Sequence, residues 1–120
     1  MEISGVRIFV KDIAEVKKFY ADKMGLTVES AGPGFVIFDT GPARLIVESV
    51  SESDLDAHAG LIGRFTGISF TVKNIEAEYK KLSSLGVEFS GEPEQQYWGG
   101  WLATFVDPAG NGLQLVQQPV

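Results

Sequence analysis

Cysteine is absent from this chain of 120 residues, which excludes disulfides, thiolate nucleophiles and cysteine-ligated zinc together. Histidine occurs once, as His58 in an acidic stretch, and is expected to be a surface residue there. Basic residues are also in short supply: 10 Lys and Arg face 16 Asp and Glu, giving a formal net charge of −6. That balance argues against nucleic acid, whose phosphates call for Lys and Arg. It permits a cationic ligand, although acidic surfaces also serve solubility. No apolar run approaches the ~20 residues that span a bilayer, so no membrane partner is expected. Met1 leads into Glu2 and a strand pattern without a basic leader, which predicts no signal peptide and a cytoplasmic location. There is no Ser-His-Asp set, phosphate loop or dinucleotide fingerprint.

What the chain does contain is a repeat. Residues 5–25, GVRIFVKDIAEVKKFYADKMG, return as residues 67–86, GISFTVKNIEAEYKKLSSLG. Gly5 matches Gly67, Ile8 matches Phe70, Val10 matches Val72, and Lys11-Asp12-Ile13 matches Lys73-Asn74-Ile75. One residue must be dropped before Gly25 meets Gly86. Two copies of this length read as a duplicated supersecondary module, not a solenoid of many short units. The chain is long enough for one domain with a real hydrophobic core.

Each copy begins with alternating apolar residues, the mark of a strand. In residues 3–10, Val6, Ile8 and Val10 face one way while Gly5, Arg7 and Phe9 face the other. Asp12, followed by Glu15, predicts a capped helix whose stripe is Ile13, Val16, Phe19, Tyr20 and Met24, closed by Gly25. Strands over 26–30, 35–39 and 43–50 complete a βαβββ module. The second module predicts a strand over 66–72 and a helix capped by Asn74, with a stripe of Ile75, Tyr79, Leu82 and Leu85. A strand from 87, a polar loop over 91–100 and a hairpin of 101–106 with 112–118 follow. Asp107-Pro108-Ala109-Gly110-Asn111 makes the hairpin turn. Residues 51–65 join the modules, with a short helical turn around Leu55. The reading is a single α+β domain over 1–120 built from modules at about 1–50 and 66–120 that share one sheet system.

Taken in this order and spacing, Val10-Lys11-Asp12, Phe19-Tyr20, Gly25-Leu26, Val72-Lys73-Asn74, Leu85-Gly86-Val87 and Asp107-Pro108-Ala109-Gly110-Asn111 resemble the vicinal oxygen chelate superfamily. That superfamily includes glyoxalases, extradiol dioxygenases and bleomycin resistance proteins. The resemblance covers essentially the whole chain. It implies a curled mixed sheet, an incomplete barrel around a concave site, with helices outside and a homodimeric assembly.

The resemblance also implies where a divalent metal would be held, by His and Glu from the first and last strands of each module. Carried onto this sequence, those positions are Gly5, Gly67 and Gln114, with either Glu48 or Ile46 in the remaining slot. Glycine brings no donor and Gln114 is a weak one, so no metal and no cofactor are expected. Strand parity instead directs Arg7, Phe9, Ser69, Thr71 and Gln114 toward the concavity, joined by Glu48. Arg7 is either the structural partner of Glu48 or a fork for a ligand carboxylate or phosphate. Tyr97, Trp98, Trp101, Phe35 and Phe65 could flank a planar organic ligand, Trp98 foremost because it sits in a glycine-rich loop. The expected function is metal-free binding of a small organic molecule, aromatic or cationic, by Arg7, Phe9, Glu48, Ser69, Trp98, Trp101 and Gln114. The alternative is a divergent enzyme of lyase, isomerase or dioxygenase type with a non-standard or absent metal site.

Overall fold

The structure, a computed structural model, describes residues 1–54 and 60–120. Leu55, Asp56 and His58, and with them the helical turn expected around Leu55, lie outside the described residues. The chain divides into two compact units, Met1–Arg64 with Pro108–Gly110, and Phe65–Asp107 with Asn111–Val120.

The first unit runs β1 (Gly5–Val10), α1 (Ile13–Lys18), β2 (Thr27–Gly32), β3 (Phe35–Asp39) and β4 (Arg44–Ser49). Its sheet has the order β1-β4-β3-β2, with β1 parallel to β4 and the remaining pairs antiparallel. Period-two alternation puts Ile8, Val10, Val36, Phe38, Leu45 and Val47 on one face, where all six are buried with Val16, Phe19 and Tyr20. Tyr20 meets the Phe38 ring at 5.8 Å between centroids.

Asp12 caps α1 as expected, Oδ1 accepting from the Glu15 N–H at 3.1 Å. The helix then widens into a π-type turn over Phe19–Lys23, with the Met24 N–H donating to Phe19 O at 3.1 Å. Such a turn holds one residue more than an α-helical one. That is where the unmatched residue of the repeat goes, since the stretch from Asp12 to Gly25 is one residue longer than that from Asn74 to Gly86. Gly25, at φ 75°, ends the turn in the left-handed conformation expected of it.

The second unit runs β5 (Phe65–Thr71), α2 (Ile75–Ser84), β6 (Glu88–Phe89), β7 (Glu94–Gln95), β8 (Trp101–Val106) and β9 (Gly112–Gln117). Its order is β5-β9-β8-β6, with β7 also paired to β8. Asn74 Oδ1 accepts from the Ala77 N–H at 3.0 Å, so the second cap also forms. Ile75, Leu82, Val87, Ala103, Phe105, Leu113 and Leu115 form the core on the helix side.

Two local expectations change. The stretch over 91–100 contains the short strand β7, formed because Glu94 and Gln95 find Leu102 and Trp101 across a tight hairpin. Leu85, placed on the buried stripe by spacing, is 44% exposed because the helix stops at Ser84. Val87 is buried in its stead.

The α+β architecture of two tandem modules holds, the second with β7 added to its βαβββ plan, but the hydrogen-bonded ladders run within each module, so the two do not share one sheet as expected. The last strand of each returns to pair with the first, which leaves two mixed sheets, neither closed into a barrel. Among the described residues no helix is long and apolar enough to cross a membrane.

Candidate functional site

Alternation that buries one face of the first sheet presents the other, and cross-strand register arranges that face in rows. Phe9, Glu48, Phe35 and Gly32 form one row, and Arg7, Ile46, Ile37 and Ser30 the next. Glu48 and Ile46, the two residues that compete for one ligand slot, therefore share a face, Glu48 opposite Phe9 and Ile46 opposite Arg7.

Arg7 and Glu48 are joined by a two-point fork. Arg7 Nε donates to Glu48 Oε1 at 3.0 Å and Nη2 to Oε2 at 2.8 Å. The guanidinium carbon also stands 5.2 Å from the centroid of the Phe9 ring, within cation–π range. Hydrogen bonding to Glu48, and then its charge, raise the Arg7 pKa further above its already high ordinary value, so the group stays cationic. Both partners remain open to water, with Arg7 57% and Glu48 32% exposed at the side chain. A second pair, Arg44 to Glu29, occupies the same sheet at 2.5 Å. Of the two roles open to Arg7, the structure shows the pair with Glu48.

Phe35 is 36% exposed, and its ring leans over Gly32: a Cβ there would come within 2.5 Å of Phe35 Cε1. Glycine thus gives the ring its seat, on the side away from Glu48. The alternation of β3 and the glycines around its turn are the sequence signals for this arrangement.

On the second sheet Ser69, Gln114 and Thr104 form a row, and Gln114 Nε2 donates to Thr104 Oγ1 at 3.1 Å. Trp101 falls elsewhere. It pairs with Gln117 and shares its face with Ala103 and Phe105, the side that packs on α2. Register therefore puts Trp101 on the opposite face from Gln114, because β7 and β8 pair up to it without a bulge.

Trp98 lies at the tip of the β7–β8 hairpin, 39% exposed, beside a fully exposed Tyr97. The tip closes with Gln96 N–H donating to Gly100 O at 2.8 Å. The indole lies against Gly100, so closely that a Cβ at residue 100 would come within 1.8 Å of Trp98 Cζ3. Gly100→Ala should therefore expel the indole at a cost of about 1–3 kcal/mol. A red-shifted, quenched tryptophan emission would report it; an unchanged spectrum and midpoint would refute the packing.

The two repeat glycines differ in backbone. Gly5 lies in a regular ladder opposite Arg44, and a Cβ on it would meet Arg44 O and Ile46 Cδ1, each at 3.1 Å. The position is already filled by its neighbours. Gly67 has φ 75° in an interrupted ladder, where Phe65 pairs with Gly112 and Ser69 with Gln114. Thr66 Oγ1 spans the break, donating to Gly112 O at 2.8 Å and accepting from the Ile68 N–H at 3.1 Å.

These residues do not fit the metal set of the resemblance. Two of its positions carry no donor, Gln114 offers only a neutral amide oxygen, and Glu48 is left as a single carboxylate; among the described residues no three His, Asp or Glu side chains gather.

Comparison with known proteins agrees on one family. The model of the Glyoxalase/Bleomycin resistance protein/Dioxygenase superfamily matches residues 2–115. YetH of Bacillus subtilis (strain 168), an uncharacterized protein, is 27% identical over 92% of this chain and 92% of its own. A bleomycin resistance protein of Klebsiella pneumoniae is 25% identical over 89% of this chain and 85% of its own. A solved structure of a superfamily member from Sphaerobacter thermophilus DSM 20745 superposes with a TM-score of 0.79 at 28% identity, covering 98% of each chain.

Proposed function

The chain belongs to the Glyoxalase/Bleomycin resistance protein/Dioxygenase superfamily, and from that premise we propose that it is a metal-free member that binds a small organic molecule. The observation that carries this reading is that Glu48 stands as a lone carboxylate: Gly5 and Gly67 bring no donor, and among the described residues no three His, Asp or Glu side chains gather. One carboxylate without further donors does not hold a divalent metal against water, and Arg7 supplies its counter-charge instead. What surrounds the fork suits an organic ligand: aromatic rings at Phe9 and Phe35 and half-buried Ile37 and Ile46, open to water. The similarity to a bleomycin resistance protein, whose name points to a small organic molecule, supports the same direction.

Metal analysis tests the proposal directly. Purified protein is offered nickel, zinc, manganese and iron(II), dialysed, and measured by elemental analysis. Retention well below one metal per chain is expected, unchanged by Glu48→Gln. Stoichiometric retention that disappears in Glu48→Gln would overturn it.

A further inference from the structure

We infer that the row Phe9–Glu48–Phe35 is a binding site for a flat organic cation, with Arg7 as the internal cation that such a ligand displaces. The inference rests on the metal-free binding reading and names its ligand class.

The geometry argues for it in three ways. First, Phe9 and Phe35 stand on strands flanking β4, two strand spacings or about 10 Å apart, on either side of the carboxylate. A planar body needs about 7–8 Å between the faces that enclose it. Because Phe35 is drawn aside over Gly32, the space above Glu48 is not closed by its ring. Second, Arg7 shows what the site recognises. It is itself a flat cation, hydrogen-bonded to Glu48 through two N–H groups and placed on the face of Phe9. An amidinium or ammonium on an aromatic frame would make the same two kinds of contact. Third, the occupant is exchangeable. The pair is open to water, where its attraction is screened, and Arg7, 57% exposed at its side chain, can swing into solvent without leaving a buried charge.

The sign of charge follows from the side chains on this face. Arg7 and Arg44 are outnumbered by Glu29, Asp39 and Glu48, so once Arg7 moves aside the face is left with a surplus of carboxylates. The overall charge of −6 acts in the same direction. An anionic ligand would have to share Arg7 with Glu48 and would be repelled by it.

Three probes of one shape decide the matter: 2-naphthylmethylamine, 2-naphthylmethanol and 2-naphthoate, titrated into the isotopically labelled full chain and followed by NMR and equilibrium dialysis. The amine should bind about tenfold more tightly than the alcohol, with naphthoate weakest and the largest shifts at Phe9, Phe35 and Glu48. Glu48→Gln should erase the preference for the amine. Arg7→Ala should tighten amine binding several-fold by removing its competitor. Equal affinity for all three probes would overturn the inference, as would a preference for naphthoate that Arg7→Ala abolishes. If no probe binds and no metal is retained, the cation site falls while the metal-free reading stands. Stoichiometric metal retention overturns that reading whatever the probes do.

Discussion

Phe105→Ala is expected to lower the free energy of unfolding by about 4 kcal/mol. The side chain is fully buried near the end of β8, with the Phe89 ring at 5.6 Å and the Phe70 ring at 6.4 Å. Phe89 in turn meets Tyr79 of α2 edge-on at 4.9 Å. Removing one ring therefore empties the point at which β5, β6, β8 and the helix are packed together. Domains of this size are stable by about 5–15 kcal/mol, so the variant should be only marginally folded. Urea denaturation at 25 °C measures the change, and thermal melting should show a loss of roughly 15 °C. A loss under about 1 kcal/mol would mean that the cluster is not the core of this unit.

Asn111→Ala is the second large effect, about 2 kcal/mol, and its cause is polar. Asp107 and Asn111 are buried, at 3% and 0% exposure, on either side of the β8–β9 turn. Asn111 Nδ2 donates to Asp107 Oδ2 at 3.2 Å, its backbone N–H donates to Oδ1 at 2.9 Å, and Asp107 N–H returns a bond to Asn111 O at 2.9 Å. Alanine at 111 keeps both backbone bonds and deprives a buried carboxylate of its side-chain donor. The same urea experiment reads it, and Asp107→Asn combined with Asn111→Ala should cost less than the sum of the two alone, because the two residues act on each other. Full additivity would refute the coupling.

The repeat makes most of the fold legible in the sequence. Alternation locates β1, β3, β4 and β8 to within two residues, and Asp12 and Asn74 cap the helices that their spacing predicts. What stays hidden has a common physical origin: single-residue irregularities that periodicity averages away. The surplus residue near Phe19 is visible as a mismatch between the copies, but only the structure shows it absorbed as a widened turn. The break in β5 leaves no trace in composition, since a glycine in a strand reads equally as a lost ligand or as a left-handed backbone. The face of Trp101 is hidden for a related reason. Its parity depends on the register of β8 against β9, which a loop of unknown length upstream does not fix. Of the candidate site, the pairing of Arg7 with Glu48 is legible as one of two roles, whereas the seat of Phe35 on Gly32 needs three-dimensional neighbours.

The backbone at Gly67 has a consequence for protein engineers. Four steps of β5 run alongside two of β9, and the residue at the break takes a conformation that a histidine adopts with difficulty. Substituting histidine there would not return a donor to the strand, because the strand no longer presents a regular site at that residue. Placing a donor there would require the register of β5 to change first: a side chain can be exchanged by one substitution, whereas a break in the ladder cannot.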